Sequence, residues 1–432
     1  MKSRIILLTT AMVLSLSATA VNIETDRTWY LAGEAMTVRL TADDAIIAYA
    51  ELCDMYGLAA GTAVSIKGGV GTGIIELPSD LHSGYYVLSA YSRHDTSASQ
   101  CLIAVVNPLH KSEDDDIEWI EAPSCLAQPG EGTAPIASSS VKKLAELPET
   151  EGHIIKARVK NVYDGQTFKG SQIRPSLAIV GKQIHYFEGK MANDSTAVFY
   201  TFGIHGKQPL VLSAMSSSGE SLPIEMISPF ATLLPKALPH LVFHYNRSEV
   251  EARSLDMQRH QIAIAPAKRE LVLGDLSDDT AEDGVPMDYD ETVFGTKPDL
   301  TYNLDEYRQF FTIREVLLEY VNCVSNRKIN GVPQLMVRKE QGSYVSSWPA
   351  MVLIDGMPVI DIERLLNYDA RRIHYINIYS GQYTFGNGVY NGILSFISRS
   401  GRLTNYPTER NVQYLVYEFP EYGPDCSESL FR

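Results

Sequence analysis

Short apolar runs broken by turn residues dominate the hydrophobic pattern over most of the chain. In 21–107, runs at 36–40, 46–50, 64–66, 73–77, 85–91 and 102–106 have strand length, with turn residues between them. That spacing predicts a β-sandwich. In 149–235 the same reading gives strands at 154–159, 176–180, 198–202 and 209–213, with Gly165, Gly170, Gly181 and Gly206 at the bends, and predicts a second Ig/macroglobulin-like β-sandwich. The pattern changes at 301–402. Ile313, Val316, Leu317, Tyr320 and Val321 recur at helical spacing behind Thr312-Ile313-Arg314-Glu315, a capping box. A strand at 334–338 follows, then the apolar run Met351-Val352-Leu353-Ile354, the tight-turn pair Asp355-Gly356, a short helix over 361–366, the alternating Ile376-Asn377-Ile378 and a last strand in 392–401. The predicted class is therefore multidomain and mainly β, with two β-sandwiches ahead of an α+β unit.

Composition sets the compartment and excludes several classes. Lys2 and Arg4 precede an apolar stretch over 5–16 and the small-residue site Ala18-Thr19-Ala20, so 1–20 is predicted to be a secretory signal peptide. No later apolar run reaches membrane-spanning length, so no transmembrane segment is expected. A net charge of −15 argues against nucleic acid as a partner, since phosphate recognition needs a basic face. The five cysteines, Cys53, Cys101, Cys125, Cys323 and Cys426, are odd in number and form no C-x-x-C. Cys53 and Cys101 are read as small buried hydrophobes in preference to a bridge between two strands.

The remaining segments connect these units. Region 108–148, with Glu113-Asp114-Asp115-Asp116 and the tract Ala137-Ser138-Ser139-Ser140, is expected to be a linker whose acidic run is solvated. Region 236–300 is expected to be a connector, partly disordered and acidic, with strands at 241–243 and 261–265. Asp279, Glu282 and Asp283 ahead of Gly284 give only a faint cation motif. Region 403–432 is read as a tail with one strand over 412–419. The Gly68–Gly73 run lacks the Lys-Ser/Thr of a phosphate loop and reads as a strand connection.

Catalytic signatures do not emerge. The chain carries no nucleophile elbow, zinc-protease helix, Walker loop, kinase set or cysteine-protease signature. His153, His185 and His205 lack metal-ligand spacing and are read as surface or satisfied residues. No catalytic, cofactor-binding or metal residue is assigned, and the chain is expected not to be an enzyme.

Two stretches carry resemblances. Leu353-Ile354-Asp355-Gly356 with Pro358-Val359, then Ile376-Asn377-Ile378 and Gly381, then Tyr383-x-Phe385-Gly386 and Gly392-Ile393 running to Gly401, together resemble the plug domain of TonB-dependent outer-membrane receptors. Trp29-Tyr30-Leu31-Ala32-Gly33-Glu34, with Leu77-Pro78 and Gly84-Tyr85-Tyr86 further on, resembles the opening and close of macroglobulin-type sandwiches. The layout is similar to exported proteins of Bacteroidetes-type bacteria. The plug family continues into a barrel of about 22 strands, each about nine to eleven residues long, for which 403–432 is too short. No TonB-box segment precedes Ile313.

The resemblance implies an exported, non-enzymatic binding or accessory protein of outer-membrane transport or surface assemblies. Its expected partner is a protein at the outer membrane, such as a separate β-barrel, and its expected location is the periplasm, the outer membrane or the cell surface. A structural or adhesive sandwich protein at the cell surface is the alternative, and a hydrolase whose site assembles from distant residues is a third.

Overall fold

The structure is a computed structural model that describes residues 21–43, 45–93, 98–130, 149, 152–180, 184–270, 294–329, 331–338, 349–385, 388–399 and 409–420. The expected signal peptide, Asp279, Glu282, Asp283 and Cys426 lie outside them, as do 131–148 and 271–293. The described residues are mainly β.

The first unit packs a three-stranded sheet on a five-stranded one. The small sheet joins Val21–Thr25, Ala35–Ala42 and Val70–Glu76; the large one joins Trp29–Leu31, Ser99–Val106, Gly84–Tyr91, Ile47–Cys53 and Leu58–Ser65. Val38, Leu40, Tyr86, Leu88 and Ile103 fill the space between them. The strands Ile47–Cys53 and Gly84–Tyr91 are buried at every position. Burial on both faces explains why those segments read as continuous apolar runs rather than alternating ones.

The cover on the second face corrects the linker expectation. Ile117–Glu121 and Leu126–Pro129, inside the supposed linker, flank Leu241–Tyr245 in a three-stranded sheet. Leu241 and Phe243 from this sheet pack on Trp29, Leu31, Tyr85, Ala104 and Val106. The acidic run is pinned as well: Asp115 accepts hydrogen bonds from Ser83 N (2.6 Å) and Ser112 N (3.0 Å). A strand that arrives more than a hundred residues later supplies the partner, and local composition carries no trace of it. The 261–265 strand is also corrected: Arg247–Glu270 is one helix. It seats on the first unit through Arg253, which stacks 3.7 Å over the Trp29 ring and pairs with Glu34, and through Gln261, which donates to the Gly33 carbonyl (2.9 Å).

The second sandwich pairs a sheet of Lys190–Met191, Thr196–Thr201, His153–Val159 and Ile224–Ile227 with a sheet of His185–Glu188, Ile173–Ile179, Gly206–Ser216 and Gln413–Phe419. The last of these strands comes from the region expected to be a tail. It adds to Gly206–Ser216 over seven residue pairs, and Tyr417 and Phe419 enter the core. The sandwich is thus closed by chain that returns after the α+β unit.

That unit is a five-stranded mixed sheet of Leu300–Asn303, Ile373–Phe385, Gly388–Ser398, Met351–Ile354 and Met357–Pro358. Met351–Ile354 runs parallel to its neighbour, and Ile313–Glu319 and Ile362–Leu366 are its helices. The strand expected at 334–338 is Val332–Val337, which forms a separate hairpin with Val324–Ile329 instead of continuing the main sheet. Asp355 and Gly356 take φ of +46° and +85°, as a two-residue hairpin turn requires. The unit's core merges with the outer face of the second sandwich, where Ala178, Val180 and Val211 join Ile354, Met357 and Leu394. Strand parity decides this sharing. Leu177, Ile179, Leu210 and Leu212 face the sandwich interior while their neighbours face the α+β unit.

Candidate interaction surface

The helix Ile313–Glu319 is fixed at its start by reciprocal capping. Thr312 Oγ1 accepts from Glu315 N (3.3 Å), while Glu315 Oε2 accepts from Thr312 N (3.0 Å) and Phe311 N (3.1 Å). Ile313, Val316 and Leu317 are buried, whereas Phe311 and Leu318 are 70% and 76% exposed. Positions 314, 315 and 318 share one helix face, and Phe311 precedes the N-cap. The cap therefore fixes which residues point outward.

Aromatic and charged side chains surround that face. The Arg371 guanidinium lies 5.0 Å from the Phe311 ring centroid and is forked onto Asp369 at 2.9 and 2.7 Å. The hydrogen bond from Arg371 holds the Asp369 carboxyl below its usual range. Arg314 pairs with Glu363 of the neighbouring helix. Beside the helix, Tyr320 packs on Tyr307 at 4.5 Å and on Phe310 at 5.4 Å, and a shallow cleft runs from these rings to Arg308 and Arg399. Asp305 bridges Arg399 and His374 (3.0 Å), and the Arg399 hydrogen bond holds its carboxyl low. A more open cleft of about 640 Å³ lies over Asp361, Asn367, Asp369 and Arg372. The contacts of His374 are a carboxylate and the Tyr375 ring at 3.9 Å, so the arrangement offers ion pairing and ring surface to a ligand.

A second polar cluster is buried where the two sandwiches meet. Tyr49 donates to Glu149 (2.8 and 2.7 Å), as does Ile154 N (2.8 Å), and Arg93 is 3.4 Å away. His153 Nδ1 meets Glu149 at 3.1 Å, and its Nε2 meets the Tyr417 hydroxyl at 2.6 Å. Burial works against the charge of Glu149, but the contacts of His153, Arg93 and Ile154 N outweigh it and hold the carboxyl below its usual range. Burial pushes the His153 pKa down, against the pull of Glu149. Next to this cluster Glu51, fully buried, accepts from Tyr91 Oη (2.8 Å), Thr232 N (3.0 Å) and Leu233 N (2.5 Å).

The residues weighed from the sequence fall as follows. Cys53 and Cys101 are free thiols on strands separated by Gly84–Tyr91. Two strand spacings put them about 10 Å apart, beyond disulfide reach. His153 is a satisfied core residue; His185 is partly buried; His205 Nδ1 lies 3.2 Å from the Pro420 carbonyl. Among the described residues no group of three His, Cys, Asp or Glu is arranged to hold a metal ion. The Gly68–Gly73 run turns the chain from one sheet of the first sandwich to the other. No described helix is long and apolar enough to cross a membrane. Sequence reasoning missed Glu51, Glu149 and the exposed face of the 313–319 helix. For Glu51 a signal was present, namely one carboxylate inside an otherwise apolar strand.

No protein-family model matches the chain, and no curated protein matches it. Among solved structures, a biofilm-associated protein BSP domain is 12% identical over 51% of this chain and 30% of its own, with a TM-score of 0.18. Escherichia coli alpha-2-macroglobulin activated by porcine elastase is 10% identical over 48% of this chain and 19% of its own, at 0.19. The human OSCAR ligand-binding domain is 13% identical over 48% of this chain and 96% of its own, at 0.15. The chain spans less than a third of the length of the first two. Scores this low carry no argument, and the sandwiches rest on the strand pairing itself.

Proposed function

We propose that this chain is an exported, non-enzymatic binding protein of outer-membrane transport or surface assemblies, with a plug-like C-terminal sheet that presents the 311–318 face to a protein partner such as a β-barrel. The carrying observation is the exposure of Phe311, just ahead of the N-cap Thr312, and of Leu318, on a helix whose opposite face is core. Single exposed apolar residues are ordinary, but such a pair flanked by ring and guanidinium surface has the make-up of an interface. The described plug-motif residues add support: Leu353, Ile354, Ile376 to Ile378, Tyr383 and Ile393 belong to one mixed sheet, with Asp355-Gly356 at its hairpin turn.

A photo-crosslinking residue placed at Phe311 or Leu318 in cells tests this, with Tyr56, exposed on the first sandwich, as control. The expected result is a discrete adduct with an outer-membrane β-barrel at 311 and 318 but not at 56. Equal labelling at all three positions, or none with the protein free in the periplasm, would refute the reading.

A further inference from the structure

We infer that the buried polar joint between the sandwiches is an acid-sensitive latch, which opens when His153 takes up a proton and releases the first sandwich from the second. The joint gathers five separated stretches of chain. Tyr49 and Arg93 come from the first sandwich, Glu149 and His153 from the start of the second, Tyr417 from the strand that closes it, and Ala231 to Leu233 from the chain leaving it. Tyr49, Glu149, His153, Arg93 and Tyr417 are each at most 9% exposed, so water cannot replace a lost partner.

The hydrogen-bond roles fix the protonation state. The Glu149 carboxylate is acceptor-only, so His153 Nδ1 must carry the hydrogen it shares with that oxygen. Nε2 is then the acceptor for the Tyr417 hydroxyl at 2.6 Å. This neutral tautomer satisfies both nitrogens, and the Arg93 and Glu149 charges compensate each other. A second proton converts Nε2 into a donor. The Tyr417 hydroxyl then loses its acceptor. The imidazolium also becomes a second cation beside Arg93 with a single carboxylate between them. The other groups at this place are the Tyr49 ring, stacked on Tyr91, and beyond it Glu51, already held by the Tyr91 hydroxyl, the Cys53 thiol, Thr232 N and Leu233 N. Among the described residues Glu149 is the only carboxylate that acts on His153.

The direction with pH follows from both groups. Burial depresses the His153 pKa, so the open joint binds more protons than the closed one below the ordinary value of about 6.5. Closed-state stability is complete above that value and declines as pH falls toward the depressed one. Glu149, also depressed, acts in the same sense but only below its own ordinary range near 4.5. With one proton taken up per opening, the open population rises about tenfold per pH unit between the two His153 values.

Amide hydrogen exchange on the full chain between pH 7.5 and 5 tests this, corrected for intrinsic rates. Ile154 N and Leu233 N report the joint, because Glu149 and Glu51 accept from them, and Tyr86 N reports the first sandwich. Protection at Ile154 and Leu233 should fall relative to Tyr86 below about pH 6.5, by up to about tenfold per pH unit. His153→Gln, which keeps an N–H for Glu149 and cannot titrate, should flatten that ratio over the same range. A constant ratio in the parent chain, parallel loss at all three amides, or unchanged pH dependence in His153→Gln would each overturn the latch. The parent ratio needs no variant, so the test stands even if His153→Gln folds poorly.

Discussion

Replacing Asp355 isolates the turn that ties the α+β unit together. Its carboxylate is fully buried and accepts from Ser398 N (2.7 Å) and Ser398 Oγ (2.5 Å), which fastens the hairpin after Met351–Ile354 to the end of Gly388–Ser398. Bonds to a charged acceptor are worth about 1.5–3 kcal/mol each, and leaving their donors buried forfeits that amount. Asp355 also holds a φ of +46°, which costs alanine roughly 1–2 kcal/mol. Asp355→Ala should therefore destabilise the unit by at least about 4 kcal/mol. Asp355→Asn keeps one acceptor and tolerates the positive φ, so a loss of roughly 1–2 kcal/mol is expected. Because the chain has several units, a single unfolding curve is not the right measure. Native-state exchange at the Ile376, Leu394 and Phe396 amides reads the local value instead. A loss below about 1 kcal/mol in Asp355→Ala, or equal damage from both variants, would refute the assignment of the turn's stability to these two bonds.

Three further outcomes follow from the same structure. Arg253→Ala removes the stack on Trp29 and the pair with Glu34, so the Arg247–Glu270 helix should loosen by about 1–2 kcal/mol, seen as faster proteolysis within it and a changed tryptophan emission. Gly356→Ala should weaken the contact between the α+β unit and the second sandwich. A Cβ there would meet the Ile184 side chain at 2.7 Å and the Ile179 carbonyl at 3.2 Å, at a φ of +85°, and a raised urea sensitivity of that unit measures the loss. Burial raises the Cys53 and Cys101 thiols to about 12, so neither should alkylate at pH 8 in the folded protein and both should do so once it is unfolded; a bridge would block both reactions.

The sequence alone fixed what is written locally. The capping box at Thr312, the Asp355-Gly356 hairpin and the short strands of both sandwiches follow from dihedral preference, hydrogen-bonding side chains and residue alternation, all of which act within a few positions. Tertiary structure decided everything that depends on a distant partner. The 108–148 region reads as a linker, yet Ile117–Glu121 becomes a strand because Leu241–Tyr245 lies beside it. Val412 to Phe419 shows strand character, but only the fold determines that it closes a sandwich begun at His153 rather than extending the sheet just before it. Glu149 and His153 look unremarkable in the chain; their chemistry exists because Tyr49, Arg93 and Tyr417 converge on them and exclude water. Pairing and burial are properties of position in space, and neither has a signature in the order of residues on one strand.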